Sequence, residues 1–313
     1  MTLFSADITK LSSIPNIKCL LIKAGFKKSN YDPLKSSKVI LPSNKFYCDR
    51  VVLDKPNYRL YHQVIGWDLD AGIIHPCYLH SLAFPLHIKL LLQAEFPFPL
   101  LGLVHINNQI SQIRPIKKSE TLSVTSCFGQ LELHPKGWAF SIKVKFYSGS
   151  ELVWQSISSN LFRCNHGRVV EPTLEHVLNC FTKPIDTIWK LNANWQLKAN
   201  LGRRYAKVSG DFNPIHLSKW SAKLFGFKRH IIHGMWTKSY CVSELQKINP
   251  SLFLQAFEIN TSFKQPLYLP SQVNLAVQLF GANNTPAKMQ FKVSGLVLNN
   301  PGSLHLIGDI RPI

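Results

Sequence analysis

The stretch that decides the fold is residues 231–246, IIHGMWTKSYCVSELQ, in which an apolar helix is expected from Gly234 to about Gln246. Four strand candidates follow this helix, at residues 257–264, 272–280, 288–298 and 304–309. In residues 273–279, apolar side chains alternate with Asn, Ala and Gln, which is the period of a strand with one buried face. One long helix followed by a run of strands predicts an α+β fold with an antiparallel sheet.

The same order of elements occurs earlier in the chain. A helix candidate covers residues 77–93, with a kink expected at Pro85, and strand candidates cover residues 120–130, 140–146 and 151–162. Short motifs recur about 150 residues apart, such as Pro76-Cys77 and His233-Gly234 at the two helix starts. We infer a duplicated unit whose two copies pair edge to edge and so extend one sheet.

The chain of 313 residues is long enough for two domains of ordinary size. We expect an N-terminal extension at residues 1–50, with a short helix near residues 18–24. A first copy of the unit is expected at residues 51–165, a linker at 166–194 and a second copy at 195–313.

The composition is that of a core-forming protein, with 45% hydrophobic residues and a mean hydropathy of −0.01. Neither a membrane-length apolar run nor a signal-peptide pattern is found. The seven cysteines are odd in number, irregularly spaced and never arranged as CxxC. This usage predicts reduced thiols in a cytoplasmic protein and neither a disulfide framework nor a zinc site.

The chain is strongly basic, since 36 Lys and Arg residues face 17 Asp and Glu residues, for a formal net charge of +19. Such an excess attracts anions, which include nucleic acid, an acidic carrier protein and the phosphates of coenzyme A. The basic residues are not gathered in one tail, and no zinc-finger, helix-turn-helix or RNP signature occurs. We therefore do not expect nucleic acid to be the partner.

Chemistry is suggested by residues 205–216, YAKVSGDFNPIH, in which Asp211 and His216 stand five positions apart in a loop dense in turn residues. An imidazole can give or take a proton near neutral pH, and a nearby carboxylate can orient it and help to hold a water. The alternative is that Asp211 caps the following helix and His216 is an ordinary residue of its first turn. The spacing alone does not separate these interpretations.

The start of the helix at Gly234 adds unpaired backbone amides, which favour negative charge. A thioester carbonyl placed there would be polarised, although every helix start has such amides. Just upstream, Lys228 and Arg229 are either a solvated basic turn or an anchor for the phosphates of coenzyme A or of carrier-bound phosphopantetheine.

Metal binding and cysteine chemistry are not expected. His230 and His233 are three residues apart with no carboxylate beside them in the sequence, and the other histidines lack a consistent ligand spacing. Cys241 is interpreted as a buried apolar residue rather than a nucleophile. We expect neither a metal nor a redox cofactor.

These residues together support a family resemblance. The pattern Y-A-x-x-S-G-D-x-N-P-I-H at residues 205–216, then Phe225-Gly226-Phe227 and His233-Gly234-Met235, resembles the signature of the MaoC-like dehydratases, which include (R)-specific enoyl-CoA hydratases. The match covers roughly residues 195–313, and the first half looks like a diverged copy. The resemblance implies a double hotdog fold, in which each copy has a long central helix wrapped by a curved antiparallel sheet.

The resemblance also implies roles for the residues of the motif. Asp211 and His216 would activate water and move the proton, Asn213 would support the loop, and Gly234 would supply an oxyanion amide. Substrate binding would fall to Ser209, Lys228, Arg229 and His233. The implied reaction is reversible hydration of a trans-2-enoyl thioester of coenzyme A or acyl carrier protein to a (3R)-3-hydroxyacyl thioester. The sequence departs from common members at His230, where they carry a smaller residue or proline.

The first copy contains the same five-residue separation at Asp70 and His75. However, His75 precedes the helix and so corresponds to His233, and Pro76 offers no amide donor. We expect this copy to be non-catalytic and to supply walls of the acyl tunnel through Phe84, Leu86 and Leu90. The alternative function is a non-catalytic module that binds acyl thioesters or carrier protein. The assembly would be a monomer or a homodimer of double-hotdog chains, without a membrane partner.

Overall fold

A computed structural model describes residues 8–27, 31, 39–69, 72–164, 189–280, 288–296 and 302–313. Asp70 and most of the expected linker therefore lie outside the described residues. The strands are β1 (Ile8–Leu11), β2 (Lys45–Val52), β3 (Val104–Gln112), β4 (Thr121–His134), β5 (Gly137–Ser148), β6 (Glu151–Arg163), β7 (Lys190–Leu197), β8 (Phe257–Phe263), β9 (Ser271–Phe280), β10 (Lys288–Gly295) and β11 (Leu304–Pro312). The helices are α1 (Ile17–Phe26), α2 (Lys55–Ile65), α3 (Tyr78–Leu91), α4 (Leu201–Ser209), α5 (Lys219–Lys223) and α6 (Gly234–Ile248), with 3₁₀ turns at Pro214–His216 and Pro250–Leu254.

The described strands form one sheet in the order β1-β2-β4-β5-β6-β3-β8-β11-β10-β9-β7. Strands β1 to β6 belong to the first half of the chain and β7 to β11 to the second. The two halves meet where β3 pairs antiparallel with β8, with Ile110 opposite Ile259. The predicted edge-to-edge extension of a single sheet is therefore confirmed.

Each half wraps its sheet around one long helix, α3 in the first half and α6 in the second. Helix α3 is apolar around most of its circumference and almost entirely buried, and it continues through the buried Pro85. Helix α6 buries Met235, Trp236, Cys241 and Leu245. A helix that is apolar on all sides is stable only inside a core, which is what the curved sheet provides. This arrangement is the double hotdog, so the predicted fold is confirmed.

One element near the site differs from the sequence interpretation. No helix was predicted for the residues directly before Gly210, but residues 201–209 form α4, and Ser209 is its last residue. Leu201, Tyr205 and Ser209 are buried on one face of that helix at a spacing of four, a helical stripe that the turn residues obscured. The loop begins only at Gly210, whose φ of 78° ends the helix in the left-handed region.

The sheet also reaches beyond the expected domain boundaries, which remain a proposal. Strand β2 starts at Lys45, within the expected extension, and pairs with β4. Strand β7 starts at Lys190, within the expected linker, and pairs with β9. Among the described residues, no helix combines the length and the apolar character needed to cross a membrane.

Candidate active site

The loop after α4 is held by two short side-chain-to-backbone hydrogen bonds. Asp211 Oδ1 accepts the N–H of Asn213 at 3.1 Å, and Asn213 Oδ1 accepts the N–H of Ile215 at 3.3 Å. Asn213 is therefore the residue that caps the 3₁₀ turn Pro214–His216, and the alternative in which Asp211 is the cap is wrong. Because Oδ1 of Asp211 is used within the loop, Oδ2 remains available for other contacts.

His216 is held as a neutral imidazole with its Nε2 lone pair free to accept a proton. Its Nδ1 lies 2.8 Å from the carbonyl oxygen of Ile231, and since a carbonyl can only accept, Nδ1 carries the hydrogen. The residue is 7% exposed. Burial, followed by the neighbouring His233, lowers the pKa of His216 to about 3. The tautomer and the charge are those of a proton acceptor.

His233 joins the loop after α4 to the start of α6. Its ring stacks on that of His216, with centroids 3.7 Å apart and planes inclined by 28°. Its Nε2 donates to the backbone carbonyl of Asp211 at 2.9 Å and lies 3.9 Å from Asp211 Oδ2. Burial lowers the pKa of His233 to about 4. With 2% exposure, His233 contacts the loop rather than the surface, and its assignment to substrate binding stays a prediction.

The carboxylate of Asp211 is largely buried but partly accessible to solvent. Burial raises its pKa, and the nearby His216 partly opposes that rise. Its side chain is 27% exposed, so water and substrate can reach it. One ligand-type atom from each of Asp211, His216 and His233 lies within 4.8 Å of the other two. Groups that are up to 22 positions apart in the sequence thus share one small volume.

Gly234 is the first residue of α6, directly after His233. By its position, its N–H has no partner inside the helix. A Cβ built on Gly234 would lie 2.8 Å from Cδ1 of Phe263, so the backbone packs closely on that ring. The helix therefore starts at Gly234, as the sequence predicted, and the role of Gly234 as an oxyanion donor stays a prediction.

The same three side chains are the one group among the described residues that could hold a metal ion. The sequence argument that no carboxylate stands beside His233 is corrected here, because Asp211 approaches it from the preceding loop. Nevertheless, the fit to a metal is poor. The ring nitrogen of His233 that lies 3.9 Å from Asp211 Oδ2 is Nε2, and its hydrogen is donated to the backbone carbonyl of Asp211, so it has no lone pair to offer a metal. The group suits proton transfer better than metal ligation.

The remaining candidate residues surround this centre. Ser209 is buried, and its Oγ accepts the N–H of Asp211 at 3.3 Å. Lys228 is exposed, and the guanidinium of Arg229 lies 5.8 Å from the ring centroid of Tyr268. His230 donates from Nε2 to the carbonyl of Ala199 at 2.7 Å, which ties the segment before α6 to the residues before α4. The substrate-binding roles of Ser209, Lys228 and Arg229 stay predictions.

Sequence reasoning missed two supports of the site. Gly202 on α4 faces the carbonyl oxygen of His216, and a Cβ at that position would collide with it. Tyr61 of α2 reaches Ser239 Oγ at 2.9 Å and Tyr205 OH at 3.5 Å, and the Tyr205 ring lies 5.0 Å from that of His233. No local pattern marks either residue, because each requirement comes from a segment distant in sequence.

The first copy presents a different helix start. His75 donates from Nε2 to the carbonyl of Ser239 at 3.2 Å, and its Nδ1 accepts the N–H of Cys77 at 3.0 Å. His75 precedes α3 as His233 precedes α6, which agrees with the predicted correspondence. Both ring nitrogens are engaged with backbone groups in the buried interior, so this imidazole is not available to a substrate.

Comparisons with known proteins find related sequences. Residues 181–299 match the family described as MaoC like domain. The chain is 28% identical over 238 residues to 3-hydroxyacyl-thioester dehydratase X of Mycobacterium tuberculosis, covering 76% of this chain and 81% of that protein. It is 30% identical over 107 residues to the mitochondrial 3-hydroxyacyl-[acyl-carrier-protein] dehydratase of Arabidopsis thaliana, covering 34% of this chain and 62% of that protein.

Solved structures show the same fold. The crystal structure of HtdX from M. tuberculosis superposes with a TM-score of 0.70 at 23% identity, covering 86% of this chain and 100% of that one. A second M. tuberculosis protein, described as having a double hotdog fold, gives a TM-score of 0.57 at 9% identity, covering 84% of this chain and 94% of that one.

Proposed function

We propose that the chain is a hydro-lyase that hydrates and dehydrates acyl thioesters, since residues 181–299 match the MaoC-like family and the chain has the double hotdog fold. The observation that carries the proposal is the meeting of Asp211, a neutral His216 and His233, the residue directly before the first residue of α6. A carboxylate, a proton acceptor and an unpaired amide are the three groups that addition of water to an activated double bond requires.

In the hydration direction, water is held by hydrogen bonds to Asp211 Oδ2 and His216 Nε2. His216 takes a proton from this water as the water oxygen bonds to C3 of the enoyl thioester. The electron pair of the double bond moves towards the thioester carbonyl and forms an enolate. The imidazolium then gives its proton to C2, so that water has been added across the double bond and His216 is neutral again.

The buried setting requires that each transient charge has a partner. The imidazolium of His216 would be stabilised by the carboxylate of Asp211, and the enolate oxygen would accept the N–H of Gly234 at the positive end of the α6 dipole. Preorganised groups in a poorly hydrated site stabilise such charges more strongly than water does. The hydrogen bond from His233 to the Asp211 carbonyl holds the loop against the start of α6. It would thereby fix the relative positions of Asp211, His216 and Gly234.

The substrate pair is proposed to be a trans-2-enoyl and a (3R)-3-hydroxyacyl thioester. Both curated relatives carry names of 3-hydroxyacyl-thioester chemistry, one of them on acyl carrier protein, which supports this assignment. The second copy would hold the single active site, while the first copy would be structural and would line the acyl tunnel through Phe84, Leu86 and Leu90. The cytoplasmic location and the monomeric or homodimeric state remain predictions.

The test is turnover of crotonyl and longer trans-2-enoyl thioesters, on coenzyme A and on carrier protein, followed by loss of absorbance of the conjugated thioester. Chiral analysis of the product should give the (3R)-3-hydroxyacyl form. Binding of these thioesters without any turnover would instead establish a non-catalytic module and overturn the proposal.

A further inference from the structure

The segment that carries the active site has an extreme charge balance. Residues 201–243 contain eight Lys and Arg residues and one acidic residue, Asp211, which the proposed reaction uses. Seven of the eight are accessible, and only Lys238 is buried. We call these seven the basic face: Arg203, Arg204, Lys207, Lys219, Lys223, Lys228 and Arg229.

None of the salt bridges found among the described residues involves the basic face. The ion pairs formed by the described residues involve other cations, namely Lys10, Arg114, Lys247 and Arg311. Surface cations that lack carboxylate neighbours repel one another, and their combined field extends over about a Debye length, roughly 8–10 Å, at physiological salt. A surface of this kind gains most from an anionic partner that spans several cations at once.

Two exposed apolar side chains stand next to Lys219 and Lys223 of the basic face in the sequence. Trp220 is 77% exposed and Leu224 is 83% exposed, and they are four residues apart on and just after α5. Lys223 Nζ lies 5.5 Å from the ring centroid of Trp220. Protein interfaces typically have large apolar side chains at their centre and polar or charged residues at their rim. Tryptophan is enriched among the residues that contribute most to binding.

Helix α5 is attached directly to the turn that holds His216. Ser221 Oγ on α5 donates to the carbonyl of Pro214 at 2.6 Å. Arg203 of the basic face donates from Nη1 to the carbonyl of Leu217 at 2.9 Å, one residue beyond His216. A partner seated on α5 would therefore lie beside the catalytic turn, within reach of the partly open Asp211.

We propose that the basic face and the pair Trp220 and Leu224 dock an acidic carrier protein that delivers the acyl group as a phosphopantetheine thioester. This inference rests on the proposed hydratase function and specifies its substrate carrier. The phosphates of coenzyme A would occupy a few cations near Lys228 and Arg229, but they would leave an apolar pair on a separate helix uncovered. A membrane surface is the less suitable occupant, because α5 offers only five residues and two exposed apolar side chains, too short a stripe for an interfacial helix.

The experiment compares kcat/KM for crotonyl groups on three carriers: an acidic bacterial acyl carrier protein, coenzyme A and pantetheine alone. In the wild type, the carrier-protein thioester should be preferred over the pantetheine thioester, and this preference should weaken as salt is raised. In the double variant Trp220→Ser, Leu224→Ser, the ratio of carrier-protein to pantetheine kcat/KM should fall by about thirtyfold, the effect of losing one central interface contact. In the double variant Lys219→Glu, Lys223→Glu, the same ratio of kcat/KM values should fall by about tenfold at low salt.

The matched control is Lys143→Glu, Lys145→Glu on β5 of the first copy, which changes the net charge equally and should leave the ratio unchanged. If the surface variants keep the wild-type ratio while crotonyl-CoA is still hydrated, the docking proposal fails and the hydratase proposal stands. If no thioester is hydrated by the wild type, the hydratase proposal itself fails. Binding of the wild type to anionic phosphatidylglycerol vesicles that is lost in Trp220→Ser, Leu224→Ser would assign the surface to membranes and overturn the docking proposal.

Discussion

Substitution of Gly202 is a sharp test of how the turn Pro214–His216, which carries His216, is positioned. In Gly202→Ala, the new Cβ would collide with the carbonyl oxygen of His216 and lie 3.2 Å from its carbonyl carbon, whereas carbon atoms in ordinary contact lie about 3.5–4.0 Å apart. Relief of the overlap requires α4 and the turn Pro214–His216 to separate by roughly 1 Å. Because the imidazole of His216 is attached to that turn, we expect it to be displaced by a similar distance.

Two effects of this substitution oppose each other. Alanine in a helix interior is favoured over glycine by about 0.5–1 kcal/mol, whereas overpacking of a tight contact costs about 1–3 kcal/mol. The stability should therefore fall by about 0–2.5 kcal/mol, too little to unfold an ordinary domain. The catalytic effect should be much larger, since a 1 Å misplacement of a reacting group costs about a hundredfold in rate.

The assay is kcat for hydration of crotonyl thioester, together with thermal unfolding of the same preparations. Gly25→Ala on α1 is the control, because no atom lies within 4 Å of a Cβ there and only the gain in helix propensity remains. We expect kcat to fall about a hundredfold in Gly202→Ala and to be unchanged in Gly25→Ala. A Gly202→Ala enzyme with kcat within about twofold of the wild type would refute this account of the turn, because it would show that the displacement has no effect on the chemistry.

Two further predictions concern ionisation. Burial lowers the pKa of His216 to about 3, so the pH profile of kcat/KM should show no inflection near 6.5, the ordinary histidine pKa. The loss of kcat/KM at low pH should instead follow protonation of Asp211, whose pKa is raised above 3.8. An inflection near 6.5 would contradict this prediction. Lys238 is fully buried, with Nζ donating to the carbonyl and side-chain oxygens of Asn108, and burial lowers its pKa from 10.5 to about 8. Below pH 8, Lys238 is therefore charged in both the folded and the unfolded chain, and its buried charge destabilises the folded state. This destabilisation disappears as the pH rises from about 8 to 10.5, because the folded chain loses the proton first. Relative to Lys238→Met, the wild type should gain about 3 kcal/mol of unfolding free energy over that range, measured by chemical denaturation, and a constant difference between the two proteins would contradict the assignment.

The fold could be predicted because its determinants are local and repeated. The alternation along residues 273–279 predicts a strand, and the apolar run that begins at Gly234 predicts a helix. The recurrence of a helix followed by strands in both halves of the chain predicts the duplication. Strand β7 and helix α4 were missed for a physical reason. The period of α4 was obscured by the glycine, aspartate and proline that follow it, and β7 is an edge strand whose pairing with β9 decides its state.

The candidate site could be predicted only in its list of residues. The motif placed Asp211, His216 and Gly234 in order, but nothing in the sequence indicated that His233 stacks on His216 and donates to the backbone of Asp211. The role of Gly202 was equally hidden, because it depends on a carbonyl group 14 residues away that only the folded chain brings near. Contacts between segments are set by tertiary packing, which local patterns do not encode.

The central claim is that Asp211 and His216 act as one proton-transfer unit, and a double-mutant cycle on hydration tests it most directly. The measurement is kcat for crotonyl thioester in Asp211→Asn, His216→Ala and the double variant, with folding verified by circular dichroism. Each single variant should lose about 10²–10⁴-fold, and the double variant should lose little more than the worse single one, because either substitution disables the same step. A single variant that turns over at the wild-type rate would contradict the claim, and so would losses that multiply in the double variant.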